Sequence, residues 1–263
     1  MENIMTRRIK LTIEYDGSDF VGWQSQENGR AVQDVIEQSA SSLLQEKIRV
    51  IGAGRTDAGV HALGQVAHFD TDSALDEFTI HRGLNALLPA DITVHSVKDT
   101  DASFHARFSA SSRTYSYFMT HQRISLGREQ AWLLYYMLDE RKIQEALECI
   151  KGTHDFTAFS RQSDDVENCY CHVFSARWIA SGVSTRFQIS ANRFLYSMVR
   201  LIVGALVDVG RGKIPVEEFR TILESKSRGK IFSLAPAHGL VLESVQYDPE
   251  QYAFVKAIMS KWN

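Results

Sequence analysis

Residues 48 to 70 read Ile48-Arg-Val-Ile-Gly-Ala-Gly-Arg-Thr-Asp-Ala-Gly-Val-His-Ala-Leu-Gly-Gln-Val-Ala-His-Phe-Asp70. Two strand-like segments, Ile48–Ile51 and Gln65–Asp70, flank a loop of small residues carrying one carboxylate, Asp57. Gly52, Gly54 and Gly59 allow positive φ and the close approach of another molecule. An Asp two positions after an Arg in a tight loop is a candidate nucleophile or base. Asp among glycines equally suits an ordinary Asx turn, and residue chemistry alone leaves both open. Phosphate-loop readings fail on spacing. Four residues rather than two follow the second Gly, and no Gly-Lys-Ser/Thr is present.

Upstream of this stretch, Ile9, Leu11, Ile13 and Tyr15 alternate with Lys10, Thr12 and Glu14, the period of a half-buried strand. Val32, Val35, Ile36, Leu43 and Leu44 recur at helical spacing. Downstream, a helix near Ile80–Leu88 is ended by Pro89, and Ile92–Val97 reads as a strand. The order is βαββαβ. The second half repeats the scheme: a strand at Tyr115–Thr120, a helix marked by Ile143, Ala146, Leu147 and Ile150, and strands at Cys171–Ile179 and Ser184–Ala191. A helix over Leu195–Val209, another near Val216–Leu223 and a last strand, Gly239–Tyr247, complete it. The pattern predicts an α+β fold of two sequential ferredoxin-like halves, 1–105 with the Asp57 loop and 106–263.

The chain has 263 residues, with 44% hydrophobic and 23% charged, ordinary values for a globular protein. A chain of this size buries roughly 70–75% of its unfolded surface and needs no disulfide or metal staple. Three cysteines, an odd number, suggest free thiols in a reducing compartment. The N-terminal residues hold no signal-type apolar block. The longest apolar run, Leu201–Val207, is far short of a membrane span. A cytoplasmic location without membrane attachment is expected.

Net charge is −3, which does not single out nucleic acid. Its distribution is more informative. No Asp or Glu occurs from Ala102 to Arg128 or from Asn168 to Val207, while these stretches hold eight arginines. Acid depletion beside Arg and aromatics suits a phosphate-contacting face. Strands are poor in acids anyway, so the depletion alone does not decide. Metal readings are weak. His61, His68 and Asp70 lack ligand spacing, and Cys169 and Cys171 beside His172 have no second Cys pair. A zinc deaminase is excluded by the lack of His-x-Glu and Pro-Cys-x-x-Cys.

The loop Gly54-Arg-Thr-Asp-Ala-Gly-Val-His-Ala62 resembles the active-site motif of the TruA-type tRNA pseudouridine synthases. Tyr15-Asp16-Gly17 with Phe20, Gly22-Trp23-Gln24 and Gln26 resembles the opening motif of that family. Phe104-His105-Ala106-Arg107-Phe108-Ser109-Ala110 with Arg113, Tyr115 and Tyr117 resembles its central one. Gly152, His154-Asp155-Phe156, Asn192, Met198-Val199-Arg200, Ala235-Pro236 and Gly239-Leu240 continue the likeness in order. The resemblance implies mixed or antiparallel sheets joined around a central RNA-binding active-site cleft. It implies isomerisation of uridine to pseudouridine at positions 38, 39 and 40 of the tRNA anticodon stem-loop, without cofactor or metal.

By the same resemblance Asp57 is the nucleophile, and Arg55 assists flipping of the uridine and grips the backbone. Tyr115 stacks on the target base and is a candidate for proton removal at C5. Arg200 pairs with the catalytic Asp, Leu240 is a candidate lining of the uracil pocket, and two copies share one tRNA as a homodimer. Tyr117 is read as core. Arg193 falls with Ser197, Arg200 and Gly204 on one helical stripe and is a possible phosphate contact. Asn168–Val173 departs from the family, which often carries an Arg-Thr pair there. That departure touches RNA contacts rather than catalysis. The competing function is a catalytically silent RNA-binding protein of the same fold.

Overall fold

The computed structural model describes residues 6–27, 29–161, 168–227 and 233–260. Among them the chain forms ten strands and six α-helices. It folds as two compact units, Met1–Ala110 with Leu242–Val245, and Ser111–Val241 with Gln246–Asn263.

The first unit runs β1 (Arg7–Tyr15), α1 (Val32–Leu44), β2 (Ile51–Gly52), β3 (His61–Thr71), α2 (Glu77–Leu87) and β4 (Ile92–Thr100). This is the predicted βαββαβ order. Ile9, Leu11, Ile13 and Tyr15 all face inward, because successive side chains of a strand alternate between faces. The sheet order is β4-β1-β3 with β2 on β3, every pair antiparallel. Its register sets Ile9 opposite Phe69 and Leu11 opposite Ala67, so both strands bury the same face. A register shift between Ile13 and Tyr15 then sets Tyr15 opposite Ala62, at the start of β3. Such irregularities often re-aim side chains beside functional sites. The side chain of Asp76 caps α2 by accepting from the Thr79 amide. Residues Leu242–Val245 of β10 (Leu240–Gln246) also lie beside β3, where a Cβ on Gly64 would come within 2.7 Å of the Glu243 carbonyl.

The second unit runs β5 (Ser112–Thr120), β6 (Trp132–Leu133), α3 (Glu140–Ile150), β7 (Gly152–Asp155), β8 (Tyr170–Ser181), β9 (Ser184–Ala191), α4 (Met198–Gly210), α5 (Val216–Glu224) and, after β10, α6 (Pro249–Met259). Its sheet order is β5-β9-β8-β7, antiparallel throughout, with β6 parallel to the end of β5. The predicted apolar stripe of α3, Ile143, Ala146, Leu147 and Ile150, is buried against α4, α5 and β8.

Several elements depart from expectation. β6, β7 and α6 were not predicted, for physical reasons. β7 spans four residues of which none is fully buried, and α6 buries none, so neither carries a periodic apolar signal. The helix predicted from Leu195 starts instead at Met198. Ser197 adopts a left-handed conformation with φ 58, which stops the helix from extending further back. Leu242–Val245, expected in the second half, belongs to the first unit. No helix among the described residues is long and apolar enough to cross a membrane.

Candidate active site

Asp57 stands half-buried in the loop between β2 and β3, with Arg55 exposed two residues before it. The carbonyl of Asp57 accepts from the Val60 amide at 3.2 Å, closing a turn in which Gly59 has φ 75. The loop rests on residues 16–23. Trp23 N–H donates to Thr56 O at 3.1 Å, and Gly59 N–H donates to Phe20 O at 3.3 Å. The two backbones touch. A Cβ on Gly17 would meet Val60 O at 2.1 Å, and one on Gly22 (φ +115) would meet Thr56 O at 2.5 Å. Thus Tyr15-Asp16-Gly17 with Gly22-Trp23 forms the seat on which the Asp57 loop lies.

His61 contributes to the same seat. Its Nδ1 accepts from Gly17 N–H at 3.1 Å and lies 3.1 Å from the Asp16 carboxylate. Only a neutral ring can accept from Gly17; a protonated one would donate to Asp16. Among the described residues no group of three His, Cys, Asp or Glu side chains is arranged to hold a metal.

Beneath the loop lies a buried polar layer. The hydroxyls of Tyr15 and Thr56 are 2.8 Å apart, and Gln65 Nε2 donates to Gly54 O at 2.8 Å. Burial pushes the Tyr15 phenol up to about 12, tempered by its neighbours Thr56 and Gln65. Further along β3, His68 Nδ1 accepts from Ala106 N–H at 3.2 Å. Burial, then the nearby Arg8 and His105, lowers its pKa to about 4.

The remaining predicted residues belong to the second unit. Tyr115, on β5, is buried and meets the Phe194 ring edge-on at a centroid distance of 5.0 Å. Arg200 is in the first turn of α4, and its Nε donates to Ala235 O at 2.8 Å, while Ala235 N–H returns a bond to Arg200 O at 3.3 Å. Tyr117, read as core, is fully buried, and its hydroxyl donates to Pro236 O at 2.8 Å. Burial raises its pKa strongly, against a smaller opposing effect from Arg200. Leu240, buried, opens β10 directly after Gly239, whose missing Cβ would lie 2.6 Å from the Tyr117 ring. Arg200, Tyr117 and the Ala235–Leu240 segment are therefore one neighbourhood. Asp57 and Arg55 belong to the first unit.

Arg193 is corrected. It precedes α4, so it shares no helical stripe with Arg200. Its guanidinium donates to Tyr170 O at 3.1 Å and to Asn168 O at 2.5 Å, clasping the segment that departs from the family pattern. Arg113 likewise donates to Asn192 O at 2.8 Å, and the Asn192 side chain accepts from His172 N–H at 2.8 Å. The three cysteines are free thiols. Cys171 is fully buried, which pushes its thiol up to about 12, while Cys169 is half-buried. Sequence reasoning missed Phe194, Thr56 and Gln65. Only their position, Thr56 within the Asp57 motif and Gln65 and Phe194 near motif residues, could have suggested them.

A sequence profile of tRNA pseudouridine synthases matches residues 11–109 and 146–248. The chain belongs to the tRNA pseudouridine synthase family. A tRNA pseudouridine synthase A of Bacteroides thetaiotaomicron is 42% identical over 250 residues, covering 94% of this chain and 93% of its own length. Proteins of the same name from Parabacteroides distasonis and Anoxybacillus flavithermus are 40% identical over 247 residues and 41% over 249, covering 98% and 99% of their own lengths. Family membership makes the chain an isomerase acting on tRNA. The matched intervals include the Asp57 loop, Arg200 and Leu240, and Tyr115 falls between them.

Proposed function

We propose that this synthase converts uridine to pseudouridine at positions 38, 39 and 40 of the tRNA anticodon stem-loop, with Asp57 as nucleophile and without metal or cofactor. The observation that carries the reading is the seating of Asp57. A single carboxylate sits in a backbone turn buttressed on one side by residues 16–23 and from below by Tyr15 and Gln65. A nucleophile needs such fixed placement.

The reaction breaks the uridine N1–C1′ bond, turns the base and joins C5 to C1′. C5 loses its proton and N1 takes one up, so no redox step is involved. The Asp57 carboxylate holds the intermediate by adding to the sugar or to the base. The uridine must first leave the stack, at a cost of a few kcal/mol. Exposed Arg55 is suited to that step and to gripping a phosphate. In the same reading Tyr115 stacks on the base and serves proton removal at C5, Arg200 pairs with the nucleophile and Leu240 lines the uracil pocket. Two copies share one tRNA in the cytoplasm. The likeness of the quoted motifs to those of the family supports the residue roles, and the matched intervals take in Arg55, Asp57, Arg200 and Leu240.

The test uses tRNA transcripts tritiated at uracil C5, since isomerisation displaces that hydrogen. Tritium release by the wild type and none by Asp57→Ala, with tRNA still bound, is the expected result. Release by both proteins would remove Asp57 from its role. Moving the reactive uridine outside positions 38–40 is expected to abolish release.

A further inference from the structure

We infer that Tyr15 is a positioning residue for the reaction, holding Asp57 in place through its hydroxyl contact with Thr56, with Gln65 as a second post of the same support. The inference rests on the reading of Asp57 as nucleophile.

Catalytic groups work only when held within about 0.5 Å of their productive position. Gly54 and Gly59 bracket the segment and give its backbone conformational freedom. Residues 16–23 brace the loop along its side, at Thr56 O, Gly59 N and Val60. From below, two side chains hold it. Gln65 fixes the Gly54 carbonyl on one side of Arg55, and Tyr15 fixes the Thr56 hydroxyl on the other. Asp57 is the next residue. Burial alternates accordingly: Arg55 exposed, Thr56 buried, Asp57 half-buried. Anchoring Thr56 inward therefore turns both of its neighbours away from the core.

The posts themselves are rigid. Tyr15 is set opposite Ala62 by the register shift in β1, and its ring lies 6.1 Å from that of Trp23. Tyr15, Thr56 and Gln65 are all at least nine-tenths buried. The elevated phenol pKa keeps Tyr15 protonated through neutral pH, so the contact persists across the working range. Nothing in this layer touches solvent freely, which separates its role from that of Arg55.

Tyr15→Phe and Thr56→Val preserve volume and remove only hydroxyls. Measured by tritium release, each is expected to lower kcat by roughly 10- to 100-fold, as for an ångström-scale misplacement, with KM for tRNA unchanged. The double variant is expected to be no worse than either single one, because both remove one contact. Thr56→Ser restores the hydroxyl and is expected to recover kcat. Amide hydrogen exchange over residues 53–60 should accelerate in Tyr15→Phe and not in Thr56→Ser. A wild-type kcat in Tyr15→Phe, additive losses in the double variant, or a loss in kcat matched by a rise in KM and a lowered melting temperature would each overturn the inference. Absent release by the wild type would instead overturn the functional reading, while unchanged loop exchange would still dispose of the support.

Discussion

The Asp57 loop and the segment from Asn192 to Arg200 carry comparable numbers of predicted functional residues but are held by opposite means. Along its side the loop is held by backbone against backbone, at contacts that only glycine at 17 and 22 permits, and beneath by the neutral side chains of Tyr15 and Gln65. The second segment has no glycine; its posts are arginines. Arg113 holds Asn192, Arg193 holds Asn168 and Tyr170, and Arg200 holds Ala235. Charge that looks available for phosphate is thus engaged by carbonyl oxygens. An acid-free, arginine-rich stretch can be a scaffold as readily as an RNA face.

The strongest cut to this comparison is Asp57→Ala, expected to reduce tritium release by about 10³-fold or more while leaving tRNA retention on filters intact. Gly22→Ala attacks the first region's mode of support. Its φ of +115 and the 2.5 Å approach to Thr56 O predict a loss of about 2–4 kcal/mol in urea unfolding. Arg193→Ala attacks the second. It should cost about 1–3 kcal/mol through its lost bonds to Asn168 and Tyr170. Because those bonds are internal, the salt dependence of tRNA binding should keep its slope; a slope lowered by roughly one would return Arg193 to the RNA face.

Buried His68 gives the first unit a pH dependence. Its folded pKa, about 4, lies below the ordinary imidazole value of 6.5, so the unfolded chain takes up the proton first. The stability it confers is complete above the unfolded value and is lost as pH falls from there toward about 4. Urea midpoints between pH 7 and 4.5 should fall more steeply for the wild type than for His68→Gln. The smallest effect belongs to Gly54→Ala. Among the described residues no atom beyond Gly54 and its two chain neighbours lies within 4 Å of the added Cβ, so the change should stay within about 0.5 kcal/mol.

What the sequence made legible follows the same division. In the first unit β1 alternates cleanly, and the element order and the Asp57 loop follow from apolar patterning and glycine placement. Tyr117 was rightly assigned to the core. The second unit resisted because its signals are tertiary. A left-handed Ser197 shortens α4 without any glycine to announce it, and α6 buries nothing that periodicity could register despite Asp248 and Pro249 at its start. Likewise, nothing local in Gln65 or Thr56 distinguishes a strand or loop residue from a post beneath a nucleophile. That distinction exists only once β1 and β3 are paired.

The edge of β3 at Gly64 meets residues Leu242–Val245 of its own unit, more than a hundred residues downstream of Ala110. On a ribosome adding ~5–20 residues per second, the first unit waits several seconds or more for its last strand. Until then the nascent chain carries an open sheet edge, the feature that invites pairing with a stranger. Truncations ending before Leu242 should therefore be aggregation-prone even though they contain the entire Asp57 loop.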